Sequence, residues 1–550
     1  MTYVIIGVTA LLCIFFFAGY NNEKHARSEY AEKLKNEYGH AVKKLSLDEL
    51  KAVKGYRSVH DTSFSIDDTT WNDLDMWLIY KQINFCQSSA GDEYLYYLLC
   101  DPVIKDRDHK DMENTIEALE DEDTRIKLQL ILHDIGRTGQ YSIYYFLDAL
   151  DKLDGYSLIS DYVLDILYIP AIVLCFFHGL LGTAAILAVM TANIISYFRK
   201  KSMIEPYFIC FDYVFRILDS CEGFVKTDCD AIRTDIETLK ECCNGFKRFK
   251  RFSSLAVKDL GSSPLGVLLG YIRMLTHVDL IKFKSMLEQV KNGKEKIDTM
   301  ITVIGRIDTY ISIGHFRHMH ECCIPDLSGG YDELRVIGGY HPLISKPVAN
   351  DILTKGCVLL TGSNASGKST FLKMVAVNSL LAQSIHTVCA KEYRAPYFRL
   401  YSSLSLKDNI MSGESYYMVE IRSVKRILDA ADENTPVLGF IDEVLRGTNT
   451  TERIAASTAI LRNLSRKKVW VFAATHDLEL TELLSNEYDN YHFEESFTDN
   501  DISFPYHLLP GKAMERNAIK LLELFGYDRD ITRDAHRSVE VFEEKGYWEK

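Results

Sequence analysis

Gly362-Ser363-Asn364-Ala365-Ser366-Gly367-Lys368-Ser369 is the stretch that decides how this chain is read. It fits G-x-x-x-x-G-K-[ST], the spacing of a phosphate-cradling loop. Ahead of it, Cys357-Val358-Leu359-Leu360 is short, apolar and bounded by glycine, as a buried strand is. Behind it, Thr370 to Val377 has helical propensity and no breaker. Strand, loop and helix in that order turn the pattern into a mechanism. Glycines let backbone N–H groups close on phosphate oxygens, and the start of the helix adds its positive dipole end. Lys368 then reaches the β- and γ-phosphates, and Ser369 is a Mg²⁺ ligand. Gly362, Asn364, Gly367, Lys368, Ser369 and Thr370 are thus the candidate nucleotide contacts, with ATP and Mg²⁺ as the implied cofactors. The plain alternative is a Gly/Ser turn before a helix; the flanks and an acidic strand downstream speak against it.

That downstream strand is Val437-Leu438-Gly439-Phe440-Ile441, running into Asp442-Glu443. Beside a phosphate loop, the first carboxylate belongs in the Mg²⁺ sphere and the second can orient or deprotonate the attacking water. Two acids at a buried strand end cost solvation unless a cation meets them. A second apolar strand, Val469 to Ala474, ends at Thr475-His476-Asp477, where an imidazole can reach a γ-phosphate. Glu443, His476 and Lys368 are the candidate catalytic residues, and Ser369 with Asp442 the candidate metal ligands.

Bulk properties narrow the rest. The 550 residues leave room for several domains. A net charge of −14 argues against an evenly basic nucleic-acid coat, though not against a local patch. The 13 cysteines include no C-x-x-C pair, so free thiols are expected.

The chain divides by composition. Tyr3 to Tyr20 is uncharged and apolar, near the lower limit for a spanning helix, and Lys24 and Arg27 follow it. This predicts an N-terminal anchor over 1–22. Tyr162 to Phe198 is a second apolar tract, broken at His178-Gly179 and closed by Arg199-Lys200-Lys201. It predicts a helical hairpin over 161–200, either spanning or re-entrant. The expectation is a multi-pass membrane protein with its ATPase domain cytoplasmic. Helix-rich segments are expected over 46–160 and 201–327, a strand–helix ATPase over 331–510 and charged helices over 511–550. Phe246 to Phe252, alternately basic and aromatic, is either a lipid-headgroup or nucleic-acid phosphate contact or a solvated helix face. His315, His318, His320, Cys322 and Cys323 crowd together but match no zinc spacing, so no zinc is expected and an interdomain joint is the simpler reading.

Taken together, the phosphate loop, Ser415 with Met418-Val419-Glu420, Asp442-Glu443 with Arg446-Gly447-Thr448 and Thr450, and Ala474-Thr475-His476-Asp477 resemble the ATPase of the MutS family of DNA mismatch-repair proteins. That family is related to ABC-type ATPases. Where it usually reads TGPNMGGKST, Thr361 to Thr370 reads TGSNASGKST; Leu445 replaces a glycine and Asn449 a serine. His341-Pro342 and Asn350-Asp351 resemble the family's lead into the loop, with Tyr340 in place of arginine and Pro347-Val348 near the usual adenine-stacking aromatic. Thr69 to Leu74, Ser88 to Leu95 and Ile307-Asp308-Thr309 resemble its helical core, and Pro510 to Ala513 with Leu524 to Tyr527 its dimerising end.

The resemblance implies an α/β P-loop ATPase of ABC/MutS type, a mainly parallel sheet covered by helices, joined to an α-helical core and lever. It further implies a homodimer in which Ser415 faces the γ-phosphate bound by the neighbouring copy, and a DNA partner, mismatched or branched. The interval before the core has no room for the family's mismatch-reading domain, and the apolar hairpin stands where its DNA clamp grows from the levers. A membrane-anchored, MutS-like ATPase with helical-lever motion is the function expected. An ABC-like transport or membrane-remodelling component without a DNA role is the alternative.

Overall fold

A computed structural model describes residues 21–548 except 23, 41, 43–46, 61, 63, 106–108, 140, 151–158, 247–277, 364–365, 405–415, 432–434, 446–447, 499–500, 514–517 and 547. The expected anchor, most of the Phe246–Phe252 stretch, Asn364 and Ser415 lie outside the described residues. The described chain falls into two compact units, one within 1–61, 81–97 and 109–319, the other within 62–80, 98–108 and 320–550.

The first unit is helical. Its axis is the helix Lys294–Met319, buried almost continuously from Ile297 to Phe316. Asp308 on that helix lies at the start of the helix Ser89–Cys100 and accepts hydrogen bonds from the backbone N–H of Gln87 (3.0 Å) and Ser88 (2.9 Å) and from the Ser88 hydroxyl (2.6 Å). A carboxylate at a helix start satisfies N–H groups that have no partner within the helix. Burial nevertheless pushes this carboxyl up to about 7. The sequence segments Ser88–Leu95 and Ile307–Thr309 therefore meet. Local capping finishes the elements: Asp121 caps Glu122–Ile135 and Ser142 caps Ile143–Ala149. Cys221 and Cys243 are paired as a disulfide, which departs from the expectation of free thiols.

The apolar tract forms Ile159–Ile166, Tyr168–Phe177 and the 47-residue helix Gly179–Val225. His178 carries the break, with φ −142° and ψ 86°. The two arms touch closely at Gly182, where a Cβ would stand 2.4 Å from the Cys175 backbone. Arg199-Lys200-Lys201 does not end the helix, which runs on and packs against Glu122–Ile135. The multi-pass expectation is corrected here. Among the described residues, one helical stretch, Gly179–Ser202, is long and apolar enough to cross a bilayer. The arm before it, Tyr162–Phe177, is shorter, about 24 Å at 1.5 Å per residue against a hydrocarbon core of about 30 Å. Among the described residues the fold class therefore keeps a single candidate span, Gly179–Ser202, and not a spanning hairpin.

In the second unit we label α1 (Asp68–Asp73), α2 (Lys368–Ser384), α3 (Tyr416–Ala430) and α4 (Thr450–Ser465). Its strands begin with β1 (Asp326–Leu327), β2 (Leu334–Gly339), β3 (Asn350–Thr354), β4 (Cys357–Thr361), β5 (Glu392–Ala395) and β6 (Arg399–Ser403). They continue with β7 (Val437–Asp442), β8 (Val469–Ala474), β9 (Tyr488–Phe493), β10 (Ser496–Thr498), β11 (Asp501–Ser503) and β12 (Leu508–Pro510). The main sheet runs β12-β9-β4-β8-β7-β6; every pair is parallel except β12 with β9. β1-β5-β2-β3 form a smaller sheet. All five residues of β4 are buried, as a strand covered on both faces requires. One core of the unit gathers Leu359, Ile427, Ile441, Leu461, Val471 and Leu484 from the sheet and its helices. Parallel order leaves the carboxyl ends of β4, β7 and β8 side by side, the place where open α/β sheets bind ligands.

Candidate nucleotide site

The loop after β4 turns on two glycines with positive φ, Gly362 at 139° and Gly367 at 104°. A Cβ on Gly362 would meet the Ser366 hydroxyl at 2.8 Å and the Phe493 carbonyl at 2.9 Å, so the turn admits no side chain there. Lys368 opens α2, is 3% exposed, and donates its ammonium to the carbonyls of Gly362 (2.7 Å) and Ser363 (2.6 Å). The Ser363 hydroxyl is buried and, among the described residues, has no hydrogen-bond partner. A buried ammonium, an unpartnered hydroxyl and a glycine-lined turn together suit a phosphate tail.

Across the strand ends, the Ser369 hydroxyl donates to Asp442 Oδ2 at 2.5 Å. One hydroxyl and one carboxylate at contact distance form a hard-oxygen pair suited to Mg²⁺. Glu443 follows at once with φ 56°, and Leu445 has φ 61°, a left-handed conformation costly for side chains of this size. The Glu443 N–H donates to the Ala474 carbonyl at 2.9 Å, tying the two strand ends. Its carboxylate is paired with His476 Nε2 at 2.6 Å. The next residue, Asp477, takes a two-pronged bond from Arg453 of α4, at 2.8 and 2.6 Å. That bond to Asp477 raises the already high Arg453 pKa. The strand-end loop after β8 is thereby fastened to α4.

A cavity of 390 Å³ opens on this loop, lined by Gly367, Lys368, Ser369 and Thr370 together with His341, Pro347, Val348, Asn350 and Tyr506. His341 is buried; burial and the Lys373 ammonium push its imidazole down to about 4, leaving it neutral at pH 7. Tyr506 is the residue that sequence reasoning passed over. It has φ 57°, its carbonyl accepts from the Asn350 amide at 3.0 Å, and its ring lies over Gly367, close to Phe504. The aromatic run Phe504-Pro505-Tyr506 was the available signal, set more than a hundred residues from the Pro347-Val348 position where an aromatic was sought. Arg453 was also missed, since nothing local marks it as the partner of Asp477.

Gly362, Gly367, Lys368, Ser369 and Thr370 lie together, Asp442 touches Ser369, and Glu443 joins His476. His315 and His318 belong to the helical unit, His315 stacked on Phe85 and accepting from the Gly39 N–H at 2.8 Å; His320, Cys322 and Cys323 belong to the other unit.

Residues 358–543 match the family model for MutS domain V. The DNA mismatch repair protein MutS of Thermus thermophilus is 30% identical over 258 residues, 46% of this chain and 31% of that protein. The protein of the same name from Aquifex pyrophilus is 32% identical, covering 48% of this chain and 32% of its own. That from Thermotoga neapolitana is 28% identical, covering 52% and 35%. The chain thus spans about a third of the length of the curated relatives it matches. These relatives favour the mismatch-repair family over a transport component and lend nothing to a multi-pass membrane location. The matched domain, its relatives and the order of residues around the phosphate loop agree that residues 358–543 form a MutS domain V, so over that part the chain is similar to the MutS family.

Proposed function

We propose that this chain binds ATP with Mg²⁺ and hydrolyses it at a site completed by a second copy. The observation that carries this is the contact between Ser369, in the first turn of α2, and Asp442, at the end of β7, beside the buried ammonium of Lys368. Lys368 already points over the loop, so phosphate oxygens exchange for the two carbonyls it holds. Ser369 and Asp442 would hold Mg²⁺, which would neutralise phosphate charge during transfer. Glu443, oriented by His476, takes the proton of the attacking water, and the imidazole holds that carboxylate in place. Tyr506 offers an aromatic face at the cavity mouth for the base.

Ser415 of a second copy supplies a donor to charge that develops only in the transition state. The segment 525–531 suits such pairing, because Phe525 (78% exposed) and Tyr527, with Ile531 on the helix Arg529–Lys545, are apolar and exposed among the described residues. Closure and reopening of two such sites would move the helix Lys294–Met319 as a lever, with DNA as the load, following the mismatch-repair names of the relatives. Equilibrium binding of a fluorescent ATP analogue tests the core of this. Lys368→Ala should abolish binding at micromolar analogue, and Asp442→Asn should remove its dependence on Mg²⁺. Both variants binding like the parent would refute the assignment. Salt-dependent binding to mismatched, homoduplex and branched DNA tests the load.

A further inference from the structure

Among the described residues, β6 is the outer strand of the main sheet and pairs with β7. An open edge presents unpaired N–H and C=O groups and frays unless covered. Here the cover comes from α1, more than three hundred residues earlier in the chain and within the same unit. The Ser402 N–H donates to the Thr70 hydroxyl at 3.1 Å. Asp73, only 2% exposed, accepts through one carboxylate oxygen from both the Ser402 hydroxyl (2.7 Å) and the Leu404 N–H (2.9 Å). Arg426 of α3 bonds both the Ser402 carbonyl and Asp67, the residue that caps α1. Thus the free edge of β6 is bound by side chains.

The position of these bonds is what matters. Ser403 pairs with Ile441, so Leu404 lies level with Asp442. Beyond Leu404 the chain leads to Ser415. Two residues past Asp73, Asp75 pairs with Lys373 at 2.6 Å, and Lys373 lies on α2, five residues after Lys368. One short segment, 67–75, thereby grips both flanks of the phosphate site: the strand beside the metal carboxylate and the helix behind the loop. From Met76 the chain continues as the helix Met76–Ile83, along which it passes from the second unit into the first.

We propose that α1 is a positioning element of the nucleotide site and that Asp73 is its positioning residue. It holds the end of β6, and through β7 the Asp442 carboxylate, in the geometry turnover requires. This rests on the ATPase reading above. Catalytic groups tolerate displacements of about half an ångström, and an error of about 1 Å costs up to about a hundredfold in rate.

Steady-state hydrolysis, analogue binding and thermal melting of the parent, Asp73→Ala and Asp73→Asn test it. Asn keeps an oxygen that can accept both bonds, whereas Ala keeps none. Asp73→Ala should lower kcat about tenfold or more while analogue affinity stays within about threefold, and Asp73→Asn should restore kcat to within about threefold of the parent. A merely structural role would lower the melting temperature and the active fraction but leave kcat per binding-competent site unchanged. That result would overturn the proposal. Should Asp73→Ala fail to fold, Ser402→Ala and Asp75→Ala each remove one grip; parent kcat in both also overturns it. A parent that neither binds nor hydrolyses ATP would instead sink the ATPase reading, and this inference with it.

Discussion

At the scale of single residues, the site divides into what a local motif announces and what only the fold assembles. Lys368, Ser369, Asp442 and Glu443 could be singled out in the sequence because each stands in a short pattern, a glycine loop or an apolar strand ending in acids. The distances bear on the same residues, Ser369 to Asp442 and Glu443 to His476. Tyr506 was harder to place, since its neighbour Gly367 is remote in sequence and the aromatic run Phe504-Pro505-Tyr506 does not by itself point to a phosphate loop. His341 shows the fold acting on a residue that sequence marked only by likeness. Its imidazole, usually near 6.5, is pushed down to about 4, mainly by burial. Above 6.5 the ring is neutral in both folded and unfolded chains and costs nothing. As pH falls from 6.5 towards 4, only the unfolded chain takes up the proton, so stability is lost over that window, by an amount on the order of 3 kcal/mol when complete. His341→Gln should therefore lose less stability than the parent between pH 7 and pH 5 in urea denaturation. Equal losses would show that His341 titrates normally.

At the scale of elements, β4, β7 and β8 were readable as apolar runs, and their parallel order followed from strand–helix alternation. The covering of β6 by α1 was not readable, because edge capping is a long-range contact made by ordinary threonine and aspartate side chains. The apolar tract from Tyr162 to Phe198 was expected to be a membrane hairpin broken at His178; the helices do part at His178, but their lengths differ from that expectation in both directions. Its first arm is too short to span, and its second continues well past the basic residues expected to stop it, because the lower part finds a helix to pack on. Where the arms meet, Gly182 leaves no room for a side chain against Cys175. Gly182→Val should pry the arms apart at a cost of about 1–3 kcal/mol, and limited proteolysis should cut faster near His178. An unchanged cleavage rate would mean that the arms are not packed at that point.

At the scale of the whole molecule, the chain has one unit that carries the MutS domain V match and one that is helical, and matches its relatives over about a third of their length. The two units do not follow the sequence boundaries expected of them. Segments 62–80 and 98–108, which read as part of the helical core, lie with the sheet instead. The reason is physical: the sheet has an edge to cover, and α1 supplies hydroxyl and carboxylate acceptors spaced to meet it. The hairpin remains the feature that composition alone could not place, since the same apolar tract suits a bilayer, a partner or a core, and the lengths of its arms decide only against a multi-pass path. The account stands or falls on hydrolysis at the strand ends. Single-turnover phosphate release from ATP with Mg²⁺, measured for the parent and for Glu443→Gln, is its most direct test. The account predicts a rate lower by about a hundredfold or more in the variant, with nucleotide still bound; a variant that releases phosphate as fast as the parent would contradict it.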